Sequence, residues 1–201
     1  MLHIHSKYHK ETNEIEEEAR QVEKAKKHPE SFEVLYNKYH EPIFRYIYQR
    51  MDDKHEAADV ASQVFLKAML NLHKYQYKGL PFSSWLYRIA HNETVNYFRK
   101  KQVMRTVNIE SSGVHEIIQD MEPAHDEEMY RQVIDMITEL DEEDLSLVEM
   151  RYFEKRPFKE IGEITGLSEN YAKVKVYRII EKLRKKTSLK KPENEKVQNK
   201  Y

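Results

Sequence analysis

The feature that most limits how this chain can fold is a pair of helical segments separated by a glycine, within residues 158–178. In the first segment, Ile161 and Ile164 have the spacing of one buried helix face. Gly162 is small where two helices must cross closely, and Gly166 permits a sharp turn at positive φ. The pattern predicts a helix-turn-helix.

The second helix of this motif is predicted to present polar and basic side chains outward. Its N-cap is expected at Ser168, and Val174 is expected to face inward, with Tyr171 or Tyr177 and Ile180 extending the apolar stripe. The positions expected to contact DNA are Ser168, Glu169, Asn170, Lys173, Lys175 and Arg178. Polar side chains near the start of such a helix can enter a major groove. The alternative is a plain helical hairpin with a basic outer face.

The composition favours helices throughout and excludes several classes of protein. The chain has only 4 glycines and 6 prolines, and 34% of its residues are charged. It has no cysteine, so disulfides and thiolate metal sites are excluded. No apolar run approaches the roughly 18 residues that span a membrane, and the polar N-terminus does not resemble a secretory leader. The expected location is the cytoplasm.

Charge is segregated along the chain, although the net charge is only −1. Residues 85–105 and 169–191 are rich in Lys and Arg, whereas Arg131 is the only basic residue of those two types within residues 106–150. Two basic blocks separated by an acidic one suggest two faces that bind a polyanion. The alternative is that both blocks are solvated helix faces.

Apolar spacing and turn residues together predict an all-α protein of two small helical domains joined by a short acidic linker, with the helix-turn-helix in the second domain. Asp53 and Asp141 are expected helix N-caps, and Ser83 or Ser84 is expected to cap a helix that begins near Trp85. The predicted divisions are a charged N-terminal extension (1–27), a first domain (28–102), the linker (103–127), a second domain (128–187) and a solvated tail (188–201).

Within the first domain, one predicted helix covers residues 54–75. Its inward positions are expected at Ala57, Val60, Ala61, Val64, Phe65, Ala68, Met69 and Leu72. A loop at residues 75–81 follows, punctuated by Gly79 and Pro81.

Aromatic residues gather around this loop and the start of the next helix. They are Tyr75, Tyr77, Phe82, Trp85 and Tyr87, with Lys74, Lys78 and Arg88 between them. Aromatic rings mixed with cations suit unstacked single-stranded bases, because stacking and phosphate neutralisation occur together. The alternative is that Trp85 and Tyr87 belong to the hydrophobic core.

Four segments in order carry a family resemblance: residues 57–68, 82–92, 140–153 and the helix-turn-helix. Together they resemble the extracytoplasmic-function class of bacterial sigma factors, within the sigma-seventy family. The resemblance covers residues 31–102 and 129–187. It implies that the first domain binds core RNA polymerase and opens the −10 promoter element, while the second reads the −35 element as duplex DNA.

The resemblance also implies roles for individual residues. Those expected to meet the polymerase are Asp59, Gln63, Phe65 and Leu66. The alternative is that Phe65 belongs to the hydrophobic core and that Asp59 is merely solvated. A loop at residues 76–84 would hold a flipped base of the melted non-template strand. The full set expected at the −10 element is Tyr75, Tyr77, Lys78, Phe82, Trp85, Arg88, Asn92, Asn96, Arg99 and Lys100. An anti-sigma factor is an implied partner, and no cofactor is implied.

The chain departs from the family pattern at positions expected to face DNA. The family often has Asp near Asn96, Arg at His91, and a Gly-Thr pair at Asn170 and Tyr171. The promoter sequence therefore cannot be carried over.

Two rival functions fit the sequence less well. An ordinary helix-turn-helix regulator would bind duplex DNA without polymerase, but it has no use for the aromatic loop. An enzyme is disfavoured, because no paired-carboxylate pocket, nucleophile elbow or Gly-rich phosphate loop appears. A metal site at His3, His5 and His9 is disfavoured because a polar N-terminal tail explains these residues better.

Overall fold

A computed structural model describes residues 12–51, 53–101, 111–121 and 127–189 of the chain. Within these segments the backbone is mostly helical and contains no strand, which confirms the expected all-α class. The helices are α1 Thr12–Lys27, α2 Phe32–Tyr48, α3 Lys54–Asn71, α4 Phe82–Lys101, α5 Ser111–Met121, α6 Glu127–Thr138, α7 Glu142–Val148, α8 Phe158–Thr165 and α9 Glu169–Leu189.

Shorter turns connect some of these helices. They are the 3₁₀ turns Pro29–Ser31 and Leu72–Lys74 and a π-helical turn at Glu149–Phe153. Among the described helices, none combines the length and the apolar character that a membrane span requires. His3, His5 and His9, and residues 190–201 of the predicted tail, lie outside the described residues.

Side-chain caps start three of the helices, as the sequence predicts. The Asp53 carboxylate accepts hydrogen bonds from the backbone N–H groups of His55 (2.7 Å) and Glu56 (3.1 Å). The bonds from Glu56 and His55 lower the pKa of the Asp53 carboxyl. Asp141 accepts from the N–H of Asp144 at 2.8 Å. These acceptors satisfy N–H groups that have no partner within their own helix.

The cap of α9 also matches expectation, but the cap of α4 does not. The Ser168 hydroxyl accepts from the N–H of Tyr171 at 3.2 Å. Helix α4 begins at Phe82, ahead of Ser83 and Ser84, which are both buried. The Phe82 N–H donates instead to a carboxylate from a distant part of the chain, Glu18, at 2.9 Å.

The chain forms two compact units, Met1–Asn108 with Lys155–Tyr171, and Ile109–Glu154 with Ala172–Tyr201. The first unit therefore contains α1 to α4 and also α8. Helix α8 packs along α4 in this unit, so the first helix of the helix-turn-helix, which was expected in the second domain, belongs with the first unit. This division differs from the boundaries expected from the sequence.

Helix α1 packs into the core of the first unit, whereas the sequence predicted a charged extension outside the first domain. Val22 and Ala25 are buried on its inner face, together with the carboxylate of Glu18. Only a few apolar residues mark this face in the sequence. A buried, hydrogen-bonded glutamate is not visible to a hydrophobic pattern.

The segment expected to be a linker contains α5, which contributes to the core of the second unit. Val114, Ile117, Ile118 and Met121 are all buried, at the spacing of one helix face. Gly113 lies against the ring of Phe153, and a Cβ at this position would be 1.8 Å from Phe153 Cδ1. The other buried apolar residues of this unit are Val133, Met136, Ile137, Leu145, Leu147, Val148, Met150, Tyr152, Ala172, Val176, Ile179, Ile180 and Leu183.

Candidate nucleic-acid and polymerase interfaces

The aromatic cluster beside residues 75–81 has an inner wall of three packed rings, Tyr75, Phe82 and Trp85, and an exposed rim that includes Tyr77. The ring centroids of Tyr75, Phe82 and Trp85 lie 5.3 to 5.4 Å from one another. Tyr75 and Phe82 are only 5% and 1% exposed, whereas Trp85 is half-buried. Burial, followed by the nearby Glu18 carboxylate, raises the pKa of Tyr75 to about 12.

This placement corrects part of the predicted −10 set. Tyr75 and Phe82 were expected to contact DNA, but their rings are enclosed by core neighbours and offer no free face for stacking. Tyr87 is also buried, which supports the alternative that assigned it to the core. Tyr77 is 44% exposed, so Tyr77 and Trp85 are the rings available to a base.

A cavity of about 340 Å³ opens between the loop and the start of α4. Its volume is within the ordinary range for a site that holds a small planar group. The lining includes Gln76, Lys78, Ser84, Trp85 and Arg88. The structure thus brings predicted loop residues and two predicted residues of α4, Trp85 and Arg88, together around one opening.

Two cations at this cavity are engaged by the chain itself. Lys78 Nζ lies 3.3 Å from Glu163 Oε1, and Arg88 Nη1 lies 3.4 Å from the same oxygen. Glu163 belongs to α8 and also lines the cavity. Sequence patterns did not single out Glu163, because its place beside Lys78 depends on the packing of α8 on α4.

The remaining residues of the predicted −10 set lie along α4. Asn92, Arg99 and Lys100 are exposed, while Arg88 and Asn96 are half-buried. Arg99 Nη2 donates to Asn96 Oδ1 at 2.8 Å. The spacing of these residues puts them on one side of the helix, which forms a polar and basic strip.

The predicted polymerase residues on α3 divide into exposed and buried members. Asp59, Gln63 and Leu66 are exposed. Phe65 is 5% exposed, and its ring packs edge-on against Tyr36 with centroids 4.8 Å apart. Phe65 therefore supports the surface from beneath and presents little area to a partner.

Sequence reasoning missed an apolar surface next to these residues. Met69 was expected to face inward, but it is 50% exposed, and Leu70 is 63% exposed beside it. Leu66 and Leu70 are four residues apart and lie off the buried face formed by the alanines and valines of α3. The apolar spacing of Leu66 and Leu70, off the buried face of α3, was the pattern in the sequence that could have predicted this surface.

A groove between α3 and α4 joins two of the predicted sets. It measures about 260 Å³ and is lined by Asp59 and Gln63 from α3 and by Asn96 and Lys100 from α4. The sequence assigned these pairs to polymerase and to DNA, respectively. In the structure they share one groove.

The helix-turn-helix turn has the expected geometry. Gly166 adopts φ +79°, a conformation that favours glycine. A Cβ on Gly162 would lie 2.7 Å from the carbonyl oxygen of Leu167, so the close approach of α8 to the turn requires a glycine.

On α9, the buried and exposed faces differ from those expected. Val174, Tyr171 and Tyr177 are 45% to 53% exposed, so the inward placement expected for them is wrong, whereas that expected for Ile180 is confirmed. The buried stripe is Ala172, Val176, Ile179, Ile180 and Leu183, because these residues repeat at intervals of three and four. The exposed members of the predicted DNA-binding set are Ser168, Glu169, Asn170, Lys173 and Arg178.

Lys175 differs from the other predicted DNA-binding residues. Its ammonium group lies 2.6 Å from Glu143 Oε1 and 3.2 Å from Asp144 Oδ1, and its side chain is 21% exposed. Burial alone would lower the pKa of Lys175, but hydrogen bonds to Glu143 and Asp144 outweigh that effect and raise it. This lysine joins α9 to α7 within the second unit.

The family comparisons match two regions of the chain. The sigma-70 region 2 family matches residues 35–103, and the sigma-70 region 4 family matches residues 136–185. An ordinary helix-turn-helix regulator would not account for the region 2 match, so that alternative is wrong.

Relatives and one solved structure agree with this assignment. The ECF RNA polymerase sigma factor SigW of Bacillus subtilis is 27% identical over 85% of this chain and 95% of its own length. SigM of the same organism is 24% identical over 77% of this chain and 93% of its own length. The fold is similar to that of CnrH, solved in complex with the cytosolic domain of CnrY, with a TM-score of 0.55 and 15% identity. That alignment covers 87% of this chain and 99% of that one. With matched regions 2 and 4 and relatives along most of its length, the chain belongs to the sigma-70 family, as an ECF sigma factor.

Proposed function

We propose that this sigma factor gives core RNA polymerase its promoter specificity by reading one element as intact duplex and capturing another as melted strand. The observation that carries the proposal is the cavity at residues 75–81, which combines an aromatic wall with a cationic rim. A duplex binder has no need of such a site. The chain initiates transcription without a catalytic centre of its own, and it acts in the cytoplasm, where the polymerase acts.

The −35 element is the duplex target. Helix α9 presents Asn170, Lys173 and Arg178 on its exposed side, after the turn at Gly166. Amide and guanidinium groups can bond base edges in a major groove, while a lysine neutralises phosphate. The exposed Val174 adds an apolar group suited to a thymine methyl.

The −10 element is the melted target. An unpaired base of the non-template strand would enter the cavity and stack on Trp85, which lines it. The exposed Tyr77 ring, between two lining residues of the loop, would stack on a base outside the cavity. Stacking gains about 1–3 kcal/mol per base, which is comparable to the cost of unstacking it from the duplex. The strip of Asn92, Arg99 and Lys100 on α4 would follow the backbone of the same strand.

Core polymerase would dock on the exposed surface of α3. Asp59 and Gln63 supply polar contacts, and the apolar patch of Leu66, Met69 and Leu70 supplies buried area. Exposed apolar side chains in contact with one another are typical of protein interfaces. An anti-sigma factor is the expected regulatory partner. In the similar solved structure, CnrH is in complex with the cytosolic domain of CnrY.

Transcription in vitro tests the proposal. Core polymerase is incubated with a promoter pool, with and without the chain, and RNA 5′ ends are mapped. We expect new start sites that depend on the chain. The double variant Tyr77→Ala, Lys78→Ala should bind polymerase normally but fail to open these promoters. If the wild-type chain yields no new start sites, the proposal is wrong.

A further inference from the structure

Helix α1 contacts both ends of the loop at residues 75–81, although it lies outside the region 2 match. At the first end, Lys26 Nζ donates to the carbonyl oxygen of Tyr75 at 2.7 Å. At the other end, Glu18 Oε2 accepts from the N–H of Phe82 at 2.9 Å. The loop therefore begins and ends on residues that are bonded to one helix.

The contact at Phe82 is made by a buried carboxylate, that of Glu18, which takes part in hydrogen bonds and an ion pair. The Glu18 side chain is 1% exposed, and its other oxygen receives the Lys38 ammonium at 2.9 Å and the hydroxyl of Tyr39. Burial and the Glu18 carboxylate raise the pKa of Tyr39 above its usual range, so its hydroxyl stays protonated and donates. A carboxylate at the first N–H of α4 also interacts favourably with the helix dipole.

The contact at Tyr75 fixes the aromatic wall as well as the backbone. The Lys26 side chain is 18% exposed, its ammonium group lies 5.7 Å from the centroid of the Tyr75 ring, and Glu23 accepts from it at 2.6 Å. Since the Tyr75 ring packs on Trp85, a shift of Tyr75 would displace one of the two rings available to a base.

We propose that Glu18 and Lys26 of α1 are positioning residues for the strand-capture loop, holding its two ends so that the cavity is formed before DNA arrives. This inference rests on the proposed capture of the −10 strand. Neither residue would touch DNA. Their contribution is to remove the ordering cost that a loose loop would pay when it binds.

The experiment uses the full chain assembled with core polymerase and a fork-junction probe. The probe is taken from a promoter selected by the transcription assay, with its downstream non-template strand unpaired. The test variant is Lys26→Met, which keeps the length of the side chain and removes its charge. Lys26→Arg restores a charged donor, and Lys24→Met is the matched control on the exposed face of α1.

We expect Lys26→Met to weaken fork-junction binding roughly tenfold, as the loss of one charge-assisted hydrogen bond would. Binding to core polymerase and to fully duplex −35 DNA should stay at wild-type levels. Lys26→Arg should recover most of the loss, and Lys24→Met should match the wild type.

Three outcomes would overturn the inference. In the first, Lys26→Met binds the fork junction as the wild type does. In the second, it loses polymerase binding and thermal stability to the same degree as strand binding. In the third, Lys26→Arg gives no recovery. A second variant, Glu18→Gln, tests the other loop end with the same readouts. If Tyr77→Ala itself leaves fork-junction binding unchanged, the capture proposal fails, and that result is separate from any effect on α1.

Discussion

The guanidinium carbon of Arg156 lies 3.9 Å from the centroid of the Tyr87 ring, and the two residues are 0% and 3% exposed. Arg156 Nη1 also lies 3.3 Å from Glu160 Oε2, and Glu160 is buried too. The contact between Arg156 and Tyr87 joins the residues just before α8 to α4 within the first unit. Arg156 combines a cation–π contact with a buried ion pair.

Removing this cation should destabilise the first unit. We expect Arg156→Ala to lower the free energy of unfolding by about 3 kcal/mol, because breaking a buried pair leaves a carboxylate with less compensation. The measurement is denaturant unfolding followed through Trp85 emission. Lys159→Ala, at an exposed neighbouring position, is the control. A change within about 0.5 kcal/mol, the range of ordinary surface substitutions, would contradict the role of Arg156.

Glu163 Oε1 lies 3.3 Å from Lys78 Nζ and 3.4 Å from Arg88 Nη1, so we expect it to compete with the phosphates of a captured strand for both cations. Glu163→Gln should therefore strengthen fork-junction binding. Its salt dependence should steepen by about 0.7 for each cation released to the single strand. Titrations at several salt concentrations measure this, with Glu33→Gln as the exposed control. Equal affinity and slope for Glu163→Gln and the wild type would refute the competition.

Lys173 and Lys175 provide a matched pair on α9. Lys173 is exposed, whereas Lys175 is bound to Glu143 and Asp144. Lys173→Ala should reduce the salt slope of −35 duplex binding by about 0.9, the value for one phosphate contact. Lys175→Ala should leave the slope nearly unchanged and lower the stability of the second unit. Slopes that fall equally in both variants would assign Lys175 to the DNA as well.

Gly113→Ala gives a test of α5 in which the sign of the effect is informative. An alanine in an exposed helix interior is more stable than glycine by about 1 kcal/mol. Here its Cβ would collide with the Phe153 ring, so we expect destabilisation of about 1–3 kcal/mol, as for overpacking in a core. Thermal unfolding measures the effect, and Gly113→Ala with Phe153→Leu should recover part of it. A stabilised single variant would show that α5 does not pack there.

Local signals in the sequence were sufficient for the helical class, the helix-turn-helix and its caps. The positive φ of Gly166 and the hydrogen bond that the Ser168 hydroxyl accepts from the Tyr171 N–H both act within one turn of the chain, so the residue types alone predict them. The exposed positions Asn170 and Lys173 follow from the same short-range geometry.

Features that depend on contacts between distant segments could not be predicted in the same way. The N-terminus of α4 is satisfied by Glu18, which is 64 residues away along the chain. Glu163 reaches Lys78 and Arg88 only because α8 packs on α4. The faces of α9 were assigned wrongly because alternating apolar and polar residues at 171–177 fit two helical registers, and only packing selects Ala172 and Val176.

The wall of the loop cavity is also part of the hydrophobic core, and this limits how promoter preference can diverge. Tyr75 lines the cavity and is buried, so a substitution there alters the fit of a captured base and the folding of the unit together. A substitution at Gln76 or Tyr77 changes only what an incoming base meets, because both side chains are exposed. Natural variation in the base preferred at this position should therefore accumulate at the rim, while the wall changes only with its packing neighbours.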